Sequence, residues 1–144
     1  MTKKKSTSLP QEVFLLHSSR NRSFASKLAA TLCNHGIPVW YSKTNLKGGQ
    51  QWHDEIGRSL ERCDWFAVVL SRSSVKSMWV ERELLYALQK TRFQNRIIPI
   101  MYRACEPYKL SWTLGAMQKV DFRNDFDSGC NDLLRIWGIG YSSD

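Results

Sequence analysis

The feature that most narrows the fold is a run of six apolar residues, Trp65-Phe66-Ala67-Val68-Val69-Leu70. A strand with one wet face alternates apolar and polar residues, so a run without alternation must be covered on both faces. Six residues are too few for a core helix, and the run reads as the central strand of a parallel sheet. Shorter segments share its character: Val13 to Leu16, Ile37 to Tyr41, Arg96 to Met101 and a brief last strand, Val120 to Phe122. Pro38 cannot donate to a ladder, which puts the second strand at an early or edge position.

Helical spacing fills the intervals. From Ser23, the residues Phe24, Leu28, Ala29 and Leu32 form a stripe, and Gly36 stands just past its end. A second helix covers Trp52 to Arg62, with Ile56 and Leu60 four apart. A third covers Met78 to Thr91, and a last one Phe126 to Ile136. The serine-rich stretch from Ser71 to Ser77 can cap the third helix. Tyr102 to Gln118 reads as irregular, with a short helical stretch near Leu110 to Gly115. Strands alternating with helices predict an α/β fold, a doubly wound sheet of five parallel strands with helices on both faces. Ligands of such sheets bind outside the carboxyl ends of the strands. Three loops are therefore candidates: His17 to Arg22, Ser42 to Gln50 and Ser71 to Met78.

A chain of 144 residues fits one domain with one core. Residues 1–10 read as a flexible basic tail, 11–137 as the domain and 138–144 as a C-terminal tail. No apolar run approaches the ~18–20 residues of a membrane span, and no hydrophobic segment follows the basic start as in a secretory signal. A cytosolic protein without a membrane partner is expected. Cys33, Cys63, Cys105 and Cys130 are dispersed without a CxxC pair, as are His17, His35 and His53. That pattern argues against a zinc site or disulfide framework and reads most of the cysteines as small buried hydrophobes. The formal charge of +8 favours anionic partners. No nucleic-acid motif accompanies it, so nucleic acid is not expected, and a dinucleotide suits the charge equally well.

The chain has neither a P-loop nor a GxGxxG after its first strand. Gly48-Gly49 reads as a turn needing positive φ. The carboxyl ends of strands one and three lack the acids of a response regulator. The informative segment is Ser77-Met78-Trp79-Val80-Glu81-Arg82-Glu83-Leu84-Leu85-Tyr86-Ala87-Leu88. Val80, Leu84, Ala87 and Leu88 form its buried stripe. Trp79 and Glu83, four apart, share a neighbouring face near the helix start. An indole beside a carboxylate can stack on a flat ring while the acid accepts hydrogen bonds from ribose hydroxyls. Spacing alone favours plainer readings, an exposed acid near a helix N-terminus and a partly buried core aromatic.

Six segments in order resemble a Toll/interleukin-1 receptor (TIR) domain, closest to the bacterial branch. Val13-Phe14-Leu15-Leu16-His17-Ser18-Ser19 is similar to the family's opening strand and its "FISYS" motif, and Gly36-Ile37-Pro38-Val39-Trp40 to "G-x-x-V-W". Leu46-Lys47-Gly48-Gly49-Gln50-Gln51-Trp52 resembles the "L-x-x-G-x-x-W" of the BB loop. Ile56 through Cys63, Val68-Val69-Leu70-Ser71 and Trp79-Val80-Glu81-Arg82-Glu83-Leu84 complete the series. The resemblance covers residues 11–137 and implies a flavodoxin-like sheet. For the NAD+-cleaving branch it implies cleavage of the nicotinamide–ribose bond to ADP-ribose or a cyclic ADP-ribose, in antiphage defence or signalling. NAD+ is then substrate, with no cofactor and no metal. By that resemblance Glu83, four residues after Trp79, is the catalytic carboxylate. Ser18, Ser19, Arg20, Trp40, Lys43, Leu46 and Trp79 line the substrate cleft, and the BB loop, Ser42 to Gln50, mediates self-association with other TIR domains. His17 stands where the family usually has serine, Ser18 where an aromatic is common, and Lys43 near a position often acidic. The BB-loop proline of many signalling members is absent. The alternatives are a non-catalytic TIR interaction module or effector, and another nucleotide-handling α/β protein.

Overall fold

The structure is a computed structural model that describes residues 9–41 and 50–143, the side chains of residues 50–55 excepted. The first eight residues of the expected N-terminal tail, and the loop residues 42–49, lie outside the described residues.

The apolar run becomes β3 (Trp65–Leu70), buried along its whole length. Successive side chains of a strand point to opposite faces, so the run serves two cores. Trp65, Ala67 and Val69 enter one cluster with Val13 and Leu15 of β1 (Val13–Leu16). Phe66, Val68 and Leu70 enter the other with Phe14 and Leu16. Burying each large side chain contributes about 1.5–3 kcal/mol, which makes this double coverage the main support of the sheet. With β2 (Val39–Trp40), β4 (Ile97–Met101) and β5 (Val120–Asp121), the order is β2-β1-β3-β4-β5 and every pairing is parallel. β3 is central and β2 lies at an edge, as the sequence predicts.

Pro99 sits inside β4 without breaking it. Phe66 N–H donates to Arg96 O and Tyr102 N–H to Leu70 O, whereas Phe122 N–H donates to Met101 O. Backbone groups alternate sides along a strand, so Pro99 turns its nitrogen toward β5. There pairing covers only Ile100 with Val120 and Met101 with Asp121, and the missing donor costs the β3–β4 ladder nothing.

Helices α1 (Arg22–Asn34) and α6 (Phe126–Ile136) cover the first face. Both end in the same device. Gly36 and Gly138 have φ of +86° and +73°, and the residue after each donates its N–H back into the last turn, Ile37 to Leu32 and Ile139 to Leu134. This Schellman closure requires a residue tolerant of positive φ. Past Gly138 the C-terminal tail lies back on the domain: Tyr141 stacks on His35 and donates its hydroxyl to Asp127, and Ser142 N–H donates to His35 Nε2.

The second face is covered by α2 (Gln50–Arg62), α4 (Met78–Leu88) and α5 (Trp112–Ala116). Two details differ from the sequence expectation. The serine-rich stretch contains a helix of its own, α3 (Arg72–Val75), started by a reciprocal box in which Ser74 N–H donates to Ser71 Oγ and Ser71 N–H to Ser74 Oγ. α4 stops at Leu88 rather than Thr91, because a 3-10 turn over Thr91–Phe93 drives Phe93 into the core, where it is fully buried. Of the cysteines, Cys63 and Cys130 are buried, and burial pushes both thiols up to about 12. Cys105 is half-buried, and Cys33 is exposed on α1.

Candidate functional site

The carboxyl ends of β1 and β3 meet at the centre of the sheet, where the chain leaves toward opposite sides. Among the described residues, a knot of hydroxyls around one amide holds this meeting point. Asn21 Oδ1 accepts from Ser71 Oγ at 2.7 Å and from Ser18 Oγ at 3.0 Å. Ser73 Oγ lies 2.7 Å from Ser18 Oγ and 2.9 Å from Ser71 Oγ. Ser18, Asn21 and Ser71 are buried, with 5%, 9% and 3% of their surface exposed. Buried polar groups require partners, and these satisfy one another, so the loop after β1 is pinned to the loop after β3.

On α4 two ridges run side by side. Val80, Leu84 and Ala87 are fully buried. Trp79, Glu83 and Tyr86, one residue offset, are half-buried. Ser77 Oγ accepts from Val80 N–H at 3.1 Å and starts this helix just beyond α3. Of the readings left open by spacing, an exposed acid is not what the fold gives. Burial pushes the Glu83 carboxyl from 4.5 up to about 6, against the opposing charge of Arg82. Trp79 and Trp40 both pack on the second-face core, and Trp40 stacks on Phe14 with ring centroids 4.9 Å apart.

The other predicted site residues distribute as follows. Ser18 belongs to the hydroxyl knot, while Ser19 and Arg20 are exposed on the 3-10 turn that follows it. Lys43 and Leu46, with the rest of the BB loop up to residue 49, lie outside the described residues. Sequence reading missed Asn21, Ser71 and Ser73 as a unit. The available signal was that polar loops follow two strands expected to be neighbours.

The profile of the TIR-domain family matches residues 13–134. The chain belongs to the TIR family. Among relatives of this TIR domain, an NAD(+) hydrolase of Paracoccus denitrificans, PdTIR, is 28% identical over 133 residues, covering 88% of this chain and 44% of the relative. The 2′ cyclic ADP-D-ribose synthase AbTIR of Acinetobacter baumannii is 28% identical over 120 residues, covering 81% and 44%. A third, the 2′ cyclic ADP-D-ribose synthase BtTIR of Bacteroides thetaiotaomicron, is 34% identical over 94 residues, covering 64% and 33%. The chain thus spans less than half the length of these relatives. Among solved structures, the TIR domain of the Toll-related receptor TRR-2 of Hydra magnipapillata superposes with a TM-score of 0.64 at 21% identity, covering 87% of this chain and 90% of that one. The TIR domains of the activated Roq1 resistosome give 0.66 at 18% identity, covering 86% and 97%. Both likenesses concern the fold. Among the described residues of this TIR domain, no helix is long and apolar enough to cross a membrane.

Proposed function

We propose that this TIR domain cleaves NAD+ at the nicotinamide–ribose bond, with Glu83 as the catalytic carboxylate. The observation that carries the reading is Glu83 itself: half-buried on α4, held at about 6, one turn beyond the half-buried Trp79. Names of relatives as NAD(+) hydrolase and cyclic ADP-ribose synthase support the same reaction class.

The chemistry needs only one acid. Most glycosidases use two carboxyls because the leaving oxygen must be protonated. In NAD+ the leaving group is a pyridinium. When its bond to C1′ breaks, the electron pair goes to the ring nitrogen, and nicotinamide departs neutral without a proton. Positive charge develops on the ribose. A carboxylate that accepts hydrogen bonds from the ribose hydroxyls stabilises that charge, and partial desolvation strengthens the interaction. Water attacking C1′ and losing a proton gives ADP-ribose; a hydroxyl or base nitrogen of the same molecule gives a cyclic ADP-ribose. In this reading Trp79 and Trp40 supply flat apolar surface for the substrate, and Ser18, Ser19, Arg20, Lys43 and Leu46 line the cleft. The reaction belongs to the cytosol, consistent with four free cysteines, and to bacterial antiphage defence or signalling. Self-association through the BB loop raises activity, so specific activity increases with protein concentration.

A second reading, a non-catalytic TIR interaction module, draws on Trp112, which is 87% exposed beside the exposed Tyr108. One experiment separates the two. Concentrated protein is incubated with NAD+, products are resolved by mass-detected chromatography, and Glu83→Ala runs alongside. Release of nicotinamide by wild type but not by the folded variant supports the enzyme. No turnover by an assembled sample, or equal turnover by the variant, overturns it.

A further inference from the structure

Beside α3 lies a groove of about 660 Å³ between the loops that follow β3 and β4. Its lining is uneven in charge. Arg72 and Lys76 come from α3 and its C-cap, Lys109 from the facing wall, and Glu106 is the one acid. Glu106 is already engaged, accepting from Lys109 Nζ at 2.8 Å and from the Tyr108 hydroxyl at 2.7 Å. Among the described residues, neither Arg72 nor Lys76 has a carboxylate within ion-pair distance.

Arg72 and Lys76 stand four residues apart on helical backbone, which puts their Cβ atoms about 5–6 Å apart on one face. Two like charges at that spacing repel, and a free choice of surface residues avoids them. Val75 and the exposed Ala104 add apolar lining, together with the half-buried Cys105, whose thiol donates to Met101 Sδ at 3.9 Å. The groove also opens at the carboxyl ends of two adjacent parallel strands, the edge of such a sheet where ligands bind.

We propose that the groove of Arg72, Lys76 and Lys109 is a second anion site that takes a diphosphate group, separate from the Glu83 side of α4. A diphosphate carries adjacent oxyanions that both α3 cations can reach, with Lys109 closing the site from the facing wall. The site does not depend on NAD+ cleavage. It shares α3 with the hydroxyl knot, since Ser73 faces Ser18 while Arg72 faces the groove. An anion held here therefore steadies the element that pins the loop after β1.

The test titrates inorganic pyrophosphate into the full chain at constant ionic strength, followed by calorimetry and backbone amide shifts. Saturable binding with shifts at residues 71–76 and 104–109 is expected. The double variant Arg72→Gln/Lys76→Gln should weaken it at least about tenfold, as expected when charge-assisted contacts are lost, and Lys109→Gln less, because Glu106 already shares that ammonium. The control Arg58→Gln/Arg135→Gln removes the same charge from exposed positions on α2 and α6 and should bind as wild type. Absent saturation, or equal weakening in test and control variants, overturns the site. A further arm repeats the titration on Glu83→Gln protein with saturating NAD+. Simultaneous binding is expected of a separate site; displacement of pyrophosphate by NAD+ would make the groove part of the dinucleotide's own cleft and overturn its separateness. Neither result bears on whether Glu83 is catalytic.

Discussion

The hydroxyls of Ser18 and Ser73 lie 2.7 Å apart across 55 residues of chain, and both sit beside the side-chain oxygen Oδ1 of Asn21. Through this contact the loop after β1 and the helix after β3 behave as one unit. Neither loop has an apolar stripe to hold it, so the hydrogen bonds set their relative position.

Removing the acceptor should therefore be costly. Asn21→Ala leaves the hydroxyls of Ser18 and Ser71 buried without their common partner, and a loss of about 1–3 kcal/mol is expected. Asn21→Asp keeps an acceptor in place and should lose less. Chemical denaturation midpoints with constant m-values check both; an Asn21→Ala midpoint equal to wild type would show that the knot contributes nothing to stability.

The pH dependence of NAD+ cleavage follows from Glu83. The proposed role needs the ionised carboxylate, and burial raises its pKa from 4.5 to about 6. Activity should be near its plateau above pH 7 and fall about tenfold per unit below pH 6, with kcat/KM reporting the free protein's group. A limb near 4.5 instead would mean that Glu83 titrates as an exposed acid.

The same shift has a stability consequence of opposite sense. A carboxyl whose folded pKa is raised binds its proton more tightly in the folded state. The fold therefore loses stability as pH rises from about 4.5 through about 6, and the loss is complete above that window. Because the carboxyl is only partly buried and solvent screens it, the shift corresponds to about 1 kcal/mol or less. Glu83→Gln removes the charge, so the variant should be more stable than wild type at pH 8 and equal to it at pH 4. Melting temperatures at the two values test this without any assay of activity.

Gly129 in α6 offers a packing test. A Cβ at this position would meet the Phe122 ring at 2.5 Å. Gly129→Ala must push the ring or the helix aside, and a loss of about 1–3 kcal/mol is expected, despite alanine's better helix propensity. An unchanged or raised melting temperature would show that the Phe122 ring yields without cost.

Much of this molecule is legible along the chain. The Trp65–Leu70 run gives a central strand, alternation with helical stripes gives the doubly wound order, and Pro38 marks the edge. Local rules suffice there because strand and helix periodicities depend on neighbours a few residues away. Local rules failed at α3, whose four residues have no apolar period and are set by the Ser71–Ser74 box. They failed again at the end of α4, where burial of Phe93 decides the turn. The spacing of Trp79 and Glu83 also puts both on one helix face from sequence alone. Whether that face is wet or half-buried was not written in it: the degree of burial, and with it a carboxyl at about 6 rather than 4.5, depends on what the rest of the chain packs beside α4. The meeting of Ser18, Asn21, Ser71 and Ser73 has the same origin. Hydrogen bonds form between atoms near in space, and only the parallel pairing of β1 with β3 brings those two loops together.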